Sequence, residues 1–415
     1  MKNALTLTLL AAASSTCLAQ AAPAPSVTVY GIVDAGLTYT TGLARNKTQL
    51  VSGIMEGSRF GLRGNEDIGG GYRALFVLEH RAEINNGTVS SRPPSGTQVP
   101  DRLNQAALLG LPGALQPAVA GVAANIGNTL GVNLGGTFWD RQAFVGLVTP
   151  FGAVIAGRQY TPAYETFAAF DTLGTQSSLS AGQVGAIPSS VTIRANNALQ
   201  YRIVLGGLTA SAMYALGGVS GNDAANRFGG VMAQYKMGGL AVGAAYNKIN
   251  NDLGLASLTS TVVGASYDIG PGKVSGMVVN FKDNNPSGVS GITASLTPLV
   301  GAGGAALVQA AFTRALRQDA QMLHVGYRMT TGPNTFYVAY SAANDKRAPN
   351  ADVASYGVAY TYALSKRTDL NAVLTHFNNK GLAQAAPGQA GFLGGVTRSA
   401  GVDSNNAAFG IRHRF

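Results

Sequence analysis

From Val27 to Leu37 the chain alternates: Val27, Val29, Val33, Ala35 and Leu37 are apolar with Gly31 among them, while the even positions include Thr28 and Asp34. Successive side chains of a strand point to opposite faces, so this stretch predicts a strand with one apolar and one mixed face. The clearest repetition runs from Arg194 to Ile203. There Arg194, Asn196, Gln200 and Arg202 share one face, and Ala195, Leu199, Tyr201 and Ile203 share most of the other. Similar stripes end in tyrosine at Tyr214, Tyr246, Tyr267, Tyr327 and Tyr362, as suits an aromatic girdle at a membrane interface.

Between these stripes the connections differ in length. Short turns stand at Ile68-Gly69-Gly70, Thr149-Pro150, Gly206-Gly207, Gly238-Gly239, Gly270-Pro271-Gly272, Thr331-Gly332-Pro333 and Ser365-Lys366-Arg367, and longer connections alternate with them. Strands placed between them number about 16. Their spans are 26–40, 57–68, 71–82, 138–148, 151–160, 191–204, 207–217, 226–237, 240–248, 258–268, 272–282, 320–329, 334–341, 352–362, 368–377 and 405–415. An open sheet edge would leave backbone groups unpaired in hydrocarbon, so the expected fold is all-β, a closed 16-stranded antiparallel transmembrane β-barrel. One barrel would occupy residues 22–415. Two insertions, 83–137 and 283–319, read as long extracellular loops, with a short helix at Ala305 to Arg317.

Composition agrees with a surface that water does not fully cover. Of 415 residues 46% are hydrophobic and only 12% charged, about half the charge density of an ordinary soluble domain. Disorder does not fit that balance, and the 55 glycines show no three-residue period of the collagen kind. Met1-Lys2-Asn3, the apolar Ala4 to Ala13 and the small residues around Ala19 and Ala21 read as a cleaved export signal over residues 1–21. Cys17 would leave with it, so the exported chain has no thiol for a disulfide or metal site. Removing Lys2 leaves 28 basic against 19 acidic residues, a charge of +9. After residue 25 no apolar run reaches 18 residues, so no spanning helix is expected.

Several segments in order, Val29-Tyr30-Gly31-Ile32-Val33-Asp34-Ala35-Gly36, Ser58-Arg59-Phe60-Gly61-Leu62-Arg63-Gly64-Asn65-Glu66-Asp67 and Arg141-Gln142-Ala143-Phe144-Val145-Gly146-Leu147, carry a family resemblance. Gly157-Arg158-Gln159-Tyr160, Tyr362-Ala363-Leu364-Ser365-Lys366-Arg367-Thr368 and the ending Gly410-Ile411-Arg412-His413-Arg414-Phe415 extend it over nearly the whole exported chain. The sequence resembles the general diffusion porins of Gram-negative bacteria, in particular the branch typical of beta-proteobacteria and Neisseria. That resemblance implies a homotrimer whose strands 1–5 and 16 face the trimer axis, and a third loop, here 161–190, folded inward as a constriction. It also implies that Phe415 is the residue read by the outer-membrane assembly machinery.

By the same resemblance Arg59, Arg141 and Arg194 form a basic wall at the constriction, with Arg81 as an addition, and Asp171 and Glu165 supply the facing acids. Alternation independently places Arg59 and Arg63 on one face and Arg73, Glu79 and Arg81 on another strand's polar face, and sets Arg202 beside Arg194. Ile32 stands where enterobacterial porins carry a lumen lysine, and Thr175 where a second acid is often found. The remaining excess of arginine implies anion preference, because fixed cations in a narrow opening concentrate anions and repel cations.

No cofactor is called for. His80, His324, His376 and His413 fall on different predicted strands without metal-ligand spacing. Export and the scatter of arginine over many strands favour a solvated lumen over nucleic-acid binding. Arg45, Lys47, Lys346 and Arg347 lie on loops where outer-membrane lipopolysaccharide would be the anionic neighbour. The expected function is passive diffusion of small hydrophilic solutes. The alternatives are a substrate-selective organic-anion channel, an outer-membrane hydrolase and an adhesin.

Overall fold

A computed structural model describes residues 26–88, 99–129, 138–174, 177–185, 189–348, 350–387 and 395–415. The expected signal segment 1–21 and Thr175 lie outside them. Strand β1 is Ser26–Thr40, followed by β2 Lys47–Ser52, β3 Arg59–Gly69, β4 Tyr72–Arg81, β5 Gln142–Thr149 and β6 Gly152–Tyr160. Next come β7 Arg194–Leu205, β8 Leu208–Ala215, β9 Phe228–Met237, β10 Leu240–Asn250, β11 Ala256–Ile269 and β12 Gly272–Asp283. The sheet ends with β13 Gln318–Thr331, β14 Asn334–Asp345, β15 Val353–Ala363, β16 Thr368–Asn379 and, after a small hairpin of β17 Ala385–Ala386 and β18 Gly395–Val396, β19 Ser404–Arg414.

All neighbours pair antiparallel, and β19 closes the ring on β1 with Arg414 opposite Ile32 and Asn406 opposite Thr40. Both β2 and β3 pair with β1, the first along Ala35–Thr40 and the second along Ser26–Ile32. They are two halves of one broken strand, so the closed barrel has 16 strand positions. The sequence expectation began this strand at 57 and missed its first half, because Lys47-Thr48-Gln49-Leu50-Val51-Ser52 shows no apolar alternation.

Burial follows the period of two. On β1, Val27, Val29, Val33, Leu37 and Tyr39 are exposed while Asp34, Thr38 and Thr40 are buried. This is the outward apolar, inward polar arrangement of a lipid-embedded barrel. Exposed tyrosines mark both rims: Tyr201, Tyr235, Tyr267 and Tyr362 lie toward the short turns, and Tyr214, Tyr246, Tyr340 and Tyr356 toward the long connections.

The two insertions depart from expectation. They form helices α1 Asp101–Asn104, α2 Gln116–Thr129 and, after the wall helix α3 Pro162–Phe170, α4 Ile292–Leu316. Leu103, Val119 and Val122 from the first insertion bury against Val308, Ala311 and Phe312 from the second, so these are packed caps rather than solvated loops. Helix α4 begins well before Ala305. Gly301, three residues after Pro298, kinks the element with a φ of +72°. The cap is tied to the rim where Asp101 accepts from the Ala400 amide at 3.3 Å and Arg347 donates to the Ala315 carbonyl at 3.2 Å. Burial, reinforced by the Arg347 charge and opposed by Asp345, holds the Arg102 guanidinium down at about 10.

Helix α3 follows β6 and turns inside the barrel. Thr161 caps it, accepting from the Tyr164 amide at 3.3 Å, with Pro162 in the first turn. Ala163, Tyr164, Phe167 and Phe170 pack on Met232, Ala245, Val262 and Met277. Those four wall residues alternate with the exposed Val231, Tyr246, Val263 and their neighbours, so they belong to the inner face of β9–β12. The packing is close: a Cβ at Gly264 would collide with the Phe170 ring, and one at Gly243 would lie 2.9 Å from it. These glycines are the slot that receives the end of α3.

Candidate functional site

Below α3, toward the short turns, the barrel encloses an open cavity of about 950 Å³. Among the described residues eight cations line it: Arg59, Arg63, Arg141, Lys273, Arg328, Lys366, Arg412 and Arg414. Five acidic residues also line it, Glu56, Glu79, Asp171, Asp268 and Asp369, which leaves three positive charges in excess.

The wall opposite α3 is built from a charge network that starts at Asp34. Its carboxylate accepts hydrogen bonds from the amides of Ile54 at 2.8 Å, Met55 at 2.9 Å and Glu56 at 2.8 Å. Its own carbonyl accepts from Gly53 N at 2.6 Å and from Ser58 Oγ at 2.9 Å. Residues 53–58, the break between β2 and β3, are thereby folded inward, with Ile54 and Met55 packed beside Leu179, Ala339, Ala359 and Val373. The fold presents Glu56 to three arginines: Arg59 at 2.8 Å, Arg412 at 2.9 Å and Arg414 at 3.1 Å. Asp369 completes the group, 3.0 Å from Arg412 and 2.8 Å from Arg414.

A second acid continues the chain of charges. Glu79 lies 2.6 Å from Arg141 and 3.9 Å from Arg59, and accepts from the Tyr30 hydroxyl at 3.1 Å. Arg141 donates onward to the Tyr160 hydroxyl at 2.9 Å. Arg194 reaches the same hydroxyl at 3.3 Å, with its guanidinium 4.8 Å from the centre of the Tyr160 ring. The structure thus brings Arg59, Arg141, Arg194 and Glu79 into one ladder. Arg141, whose apolar strand left its direction open in the sequence, points inward because Glu79 and Tyr160 hold it there.

Other candidate residues stand elsewhere. Arg81 is buried against Glu83, and its amide donates to Asp140 at 2.8 Å; it is not on the wall of this cavity. Burial raises the Glu83 carboxyl, and the Arg81 charge opposes that rise. Glu165 on α3 pairs with Arg202 on β7 at 2.9 Å, also away from the cavity wall. Asp171 ends α3 at the cavity edge with its oxygens turned into the loop. It accepts from Ser180 Oγ at 2.6 Å, Ala181 N at 3.1 Å and Leu173 N at 3.0 Å. Phe415 lies on the outer face, where Gly31 leaves room for its ring and exchanges two 3.1 Å backbone hydrogen bonds with it.

Sequence reasoning did not single out Glu56, Asp369, Arg412 and Arg414. The parity of Arg412 and Arg414 opposite Ile411 signals their face, but Glu56 sits in a break that no period describes.

The glycine slot makes one expectation concrete. Gly264→Val should drive Phe170 out of the wall and release the end of α3. Single-channel conductance should change by about twofold or more, and the barrel should lose about 1–3 kcal/mol through overpacking. A variant with wild-type conductance and unfolding midpoint would show that the slot does not hold the helix.

The model of the Gram-negative porin family matches residues 6–382. The chain belongs to the Gram-negative porins. This porin is therefore an outer-membrane barrel of a channel family. It is 40% identical over 96 residues to an outer membrane porin protein of Bordetella pertussis, covering 19% of this chain and 25% of that one. It is 38% identical over 64 residues to the major outer membrane protein P.IB of Neisseria meningitidis serogroup B, covering 14% and 19%. The porin thus spans about a quarter or less of the length of these relatives. Among solved structures it is similar to the anion-selective porin from Comamonas acidovorans, with a TM-score of 0.66, 23% identity and coverage of 94% of this chain and 100% of that one. The trimer form of OmpT from Vibrio cholerae gives a TM-score of 0.59 at 14% identity, covering 95% and 100%. At these identities the shared feature is the barrel.

Proposed function

We propose that the barrel is a water-filled channel through which small hydrophilic solutes and ions diffuse passively, with preference for anions. One observation carries this reading: an open cavity inside a closed barrel, lined by eight cations and five carboxylates. In a narrow aqueous path such an excess raises local anion concentration and the barrier for cations. Loop 161–190, with α3 on the inner wall, is the constriction in this reading, and Arg59, Arg141 and Arg194 are its basic side.

The selectivity comes less from the ladder itself than from the cations beyond it. Among the cavity residues, Arg59, Arg141, Arg412 and Arg414 face Glu56, Glu79 and Asp369 at ion-pair distance, so this group of seven contributes a single net charge. Arg63, Lys273, Arg328 and Lys366 line the same cavity with Asp268 and Asp171 and supply the remaining excess of two. The porin assembles as a homotrimer in this account, as the trimer form of OmpT does, with the wall of β1 to β6 and β19 toward the axis and Phe415 as the assembly mark. Lipopolysaccharide is the neighbour of the loop cations.

Purified protein in a planar bilayer should add conductance in uniform steps, and the flux of a small neutral sugar into liposomes should rise linearly with its concentration. Saturating flux of one organic anion would replace diffusion with a substrate-selective channel. Ester or peptide turnover lost on changing one Ser or His would replace it with a hydrolase.

A further inference from the structure

The two insertions leave the barrel on opposite sides. With β2 and β3 counted as one position, the first insertion joins the third and fourth of 16 strands and the second joins the eleventh and twelfth, eight positions round the ring. Yet Leu103, Val119 and Val122 bury against Val308, Ala311 and Phe312. A Cβ at Gly304 of α4 would lie 3.4 Å from Leu115 Cδ2 of the first insertion. Loops rooted half a circumference apart meet by the shortest path over the outer mouth, the end of the barrel with the long connections. The base of the first insertion takes the same course. Arg102 lines a small cavity with Val184 and Gly185 of the constriction loop and with Phe281, Ala320 and Ala343. Those last three belong to the inner face of β12, β13 and β14, where they join the cluster packed on α3, so Arg102 hangs inside the rim. Beside it the Asp101 amide donates to Gln384 Oε1 at 2.5 Å, in the connection between β16 and β19.

We propose that the two insertions form a fixed bridge across the outer mouth, which sets an upper size for solutes ahead of the constriction and does so without selecting by charge. The inference rests on the diffusion-channel reading. A bridge over an opening divides it into narrower ones, and a solute wider than these is slowed before it reaches the basic cavity. The bridge is uncharged along most of its length: the sequence has no Asp, Glu, Lys or Arg from Leu103 to Trp139 or from Asn284 to Thr313. Size exclusion and anion preference thus reside in different parts of the chain. The bridge is fixed because its halves share one apolar cluster, in which Leu103, Val119, Val308 and Phe312 are fully buried.

Liposome swelling with a pentose, a disaccharide and a trisaccharide tests the size limit, and the reversal potential in a KCl gradient tests its independence from charge. Val119→Asn with Val308→Asn puts two amides without partners into the shared cluster and parts the helices, while adding no charge and touching no strand. The trisaccharide rate relative to the pentose rate should rise about threefold or more over wild type, with the reversal potential unchanged. An unchanged ratio in the assembled variant overturns the bridge as a size limit, and a shifted reversal potential overturns its separation from charge selection. The course over the mouth has its own test. Leu115→Cys with Gly304→Cys should oxidise to a disulfide within one chain, since the exported chain is expected to hold no other thiol. Links between chains, or none, overturn the bridge even where the asparagine variant fails to assemble. Folded wild type that passes no sugar of any size overturns the diffusion reading instead.

Discussion

Asp34→Ala is expected to destabilise the barrel by on the order of 4 kcal/mol and to change its pore. The carboxylate satisfies three buried amides in succession, at Ile54, Met55 and Glu56. Each buried donor left without a partner costs about 1–3 kcal/mol. Loss of the inward fold would also withdraw Glu56 from Arg59, Arg412 and Arg414. Three arginines would then face the channel with one acid fewer, so the variant should be more anion-selective as well as less stable. Urea unfolding of refolded protein measures the first effect and reversal potential the second. An unfolding midpoint equal to that of the wild type would mean that segment 53–58 does not depend on Asp34.

The largest functional effect is expected from reversing two cations that the ladder does not use. Arg63 and Arg328 line the cavity, and each rests over a tyrosine, Arg63 at 5.2 Å from the Tyr30 ring centre and Arg328 at 5.6 Å from that of Tyr337. Such contacts contribute about 0.5–1 kcal/mol, so the fold should survive their loss. Arg63→Glu with Arg328→Glu turns the eight cations and five carboxylates of the cavity into six and seven. The reversal potential should then change sign. Arg141→Ala would be a poorer choice: it leaves Glu79 buried beside a missing partner, and breaking such a pair costs about 3–5 kcal/mol. A double variant with unchanged anion selectivity would place the selecting charges outside this cavity.

Most of the barrel was legible because its physics is local. A strand with lipid on one side and water on the other must alternate, and a tight turn must have glycine, proline or a small polar residue. β1, β7 and the turns at Gly206-Gly207 and Gly238-Gly239 could therefore be read directly from the chain. β2 could not, since its pairing comes from the upper half of β1 and not from any pattern of its own. Nor could the helical cap: Leu103 and Val122 find Val308 and Phe312 in the second insertion, far along the chain, and alanine and glycine between them read as loop.

The site divides in the same way. Arg59 and Glu79 lie on regular strands, so parity gave their face. The neutralisation of the ladder depends on Glu56, placed by a non-repeating break, and on Asp369 and Arg412, brought round by barrel closure. Asp171 has the residue type of a pore acid, but only the structure shows its oxygens occupied by Ser180, Ala181 and Leu173. His324 carries no sequence signal because its partners, Thr172 and Ser341, come from a loop and a neighbouring strand.

The central claim is that three excess cations in the cavity make a diffusion channel anion-selective. The reversal potential of wild-type protein in a planar bilayer under a KCl gradient tests it most directly. An anion-selective potential at about 0.1 M salt that shrinks toward neutral near about 1 M, where the Debye length falls from about 10 Å to about 3 Å, is the predicted result. A cation-selective potential at low salt would contradict it.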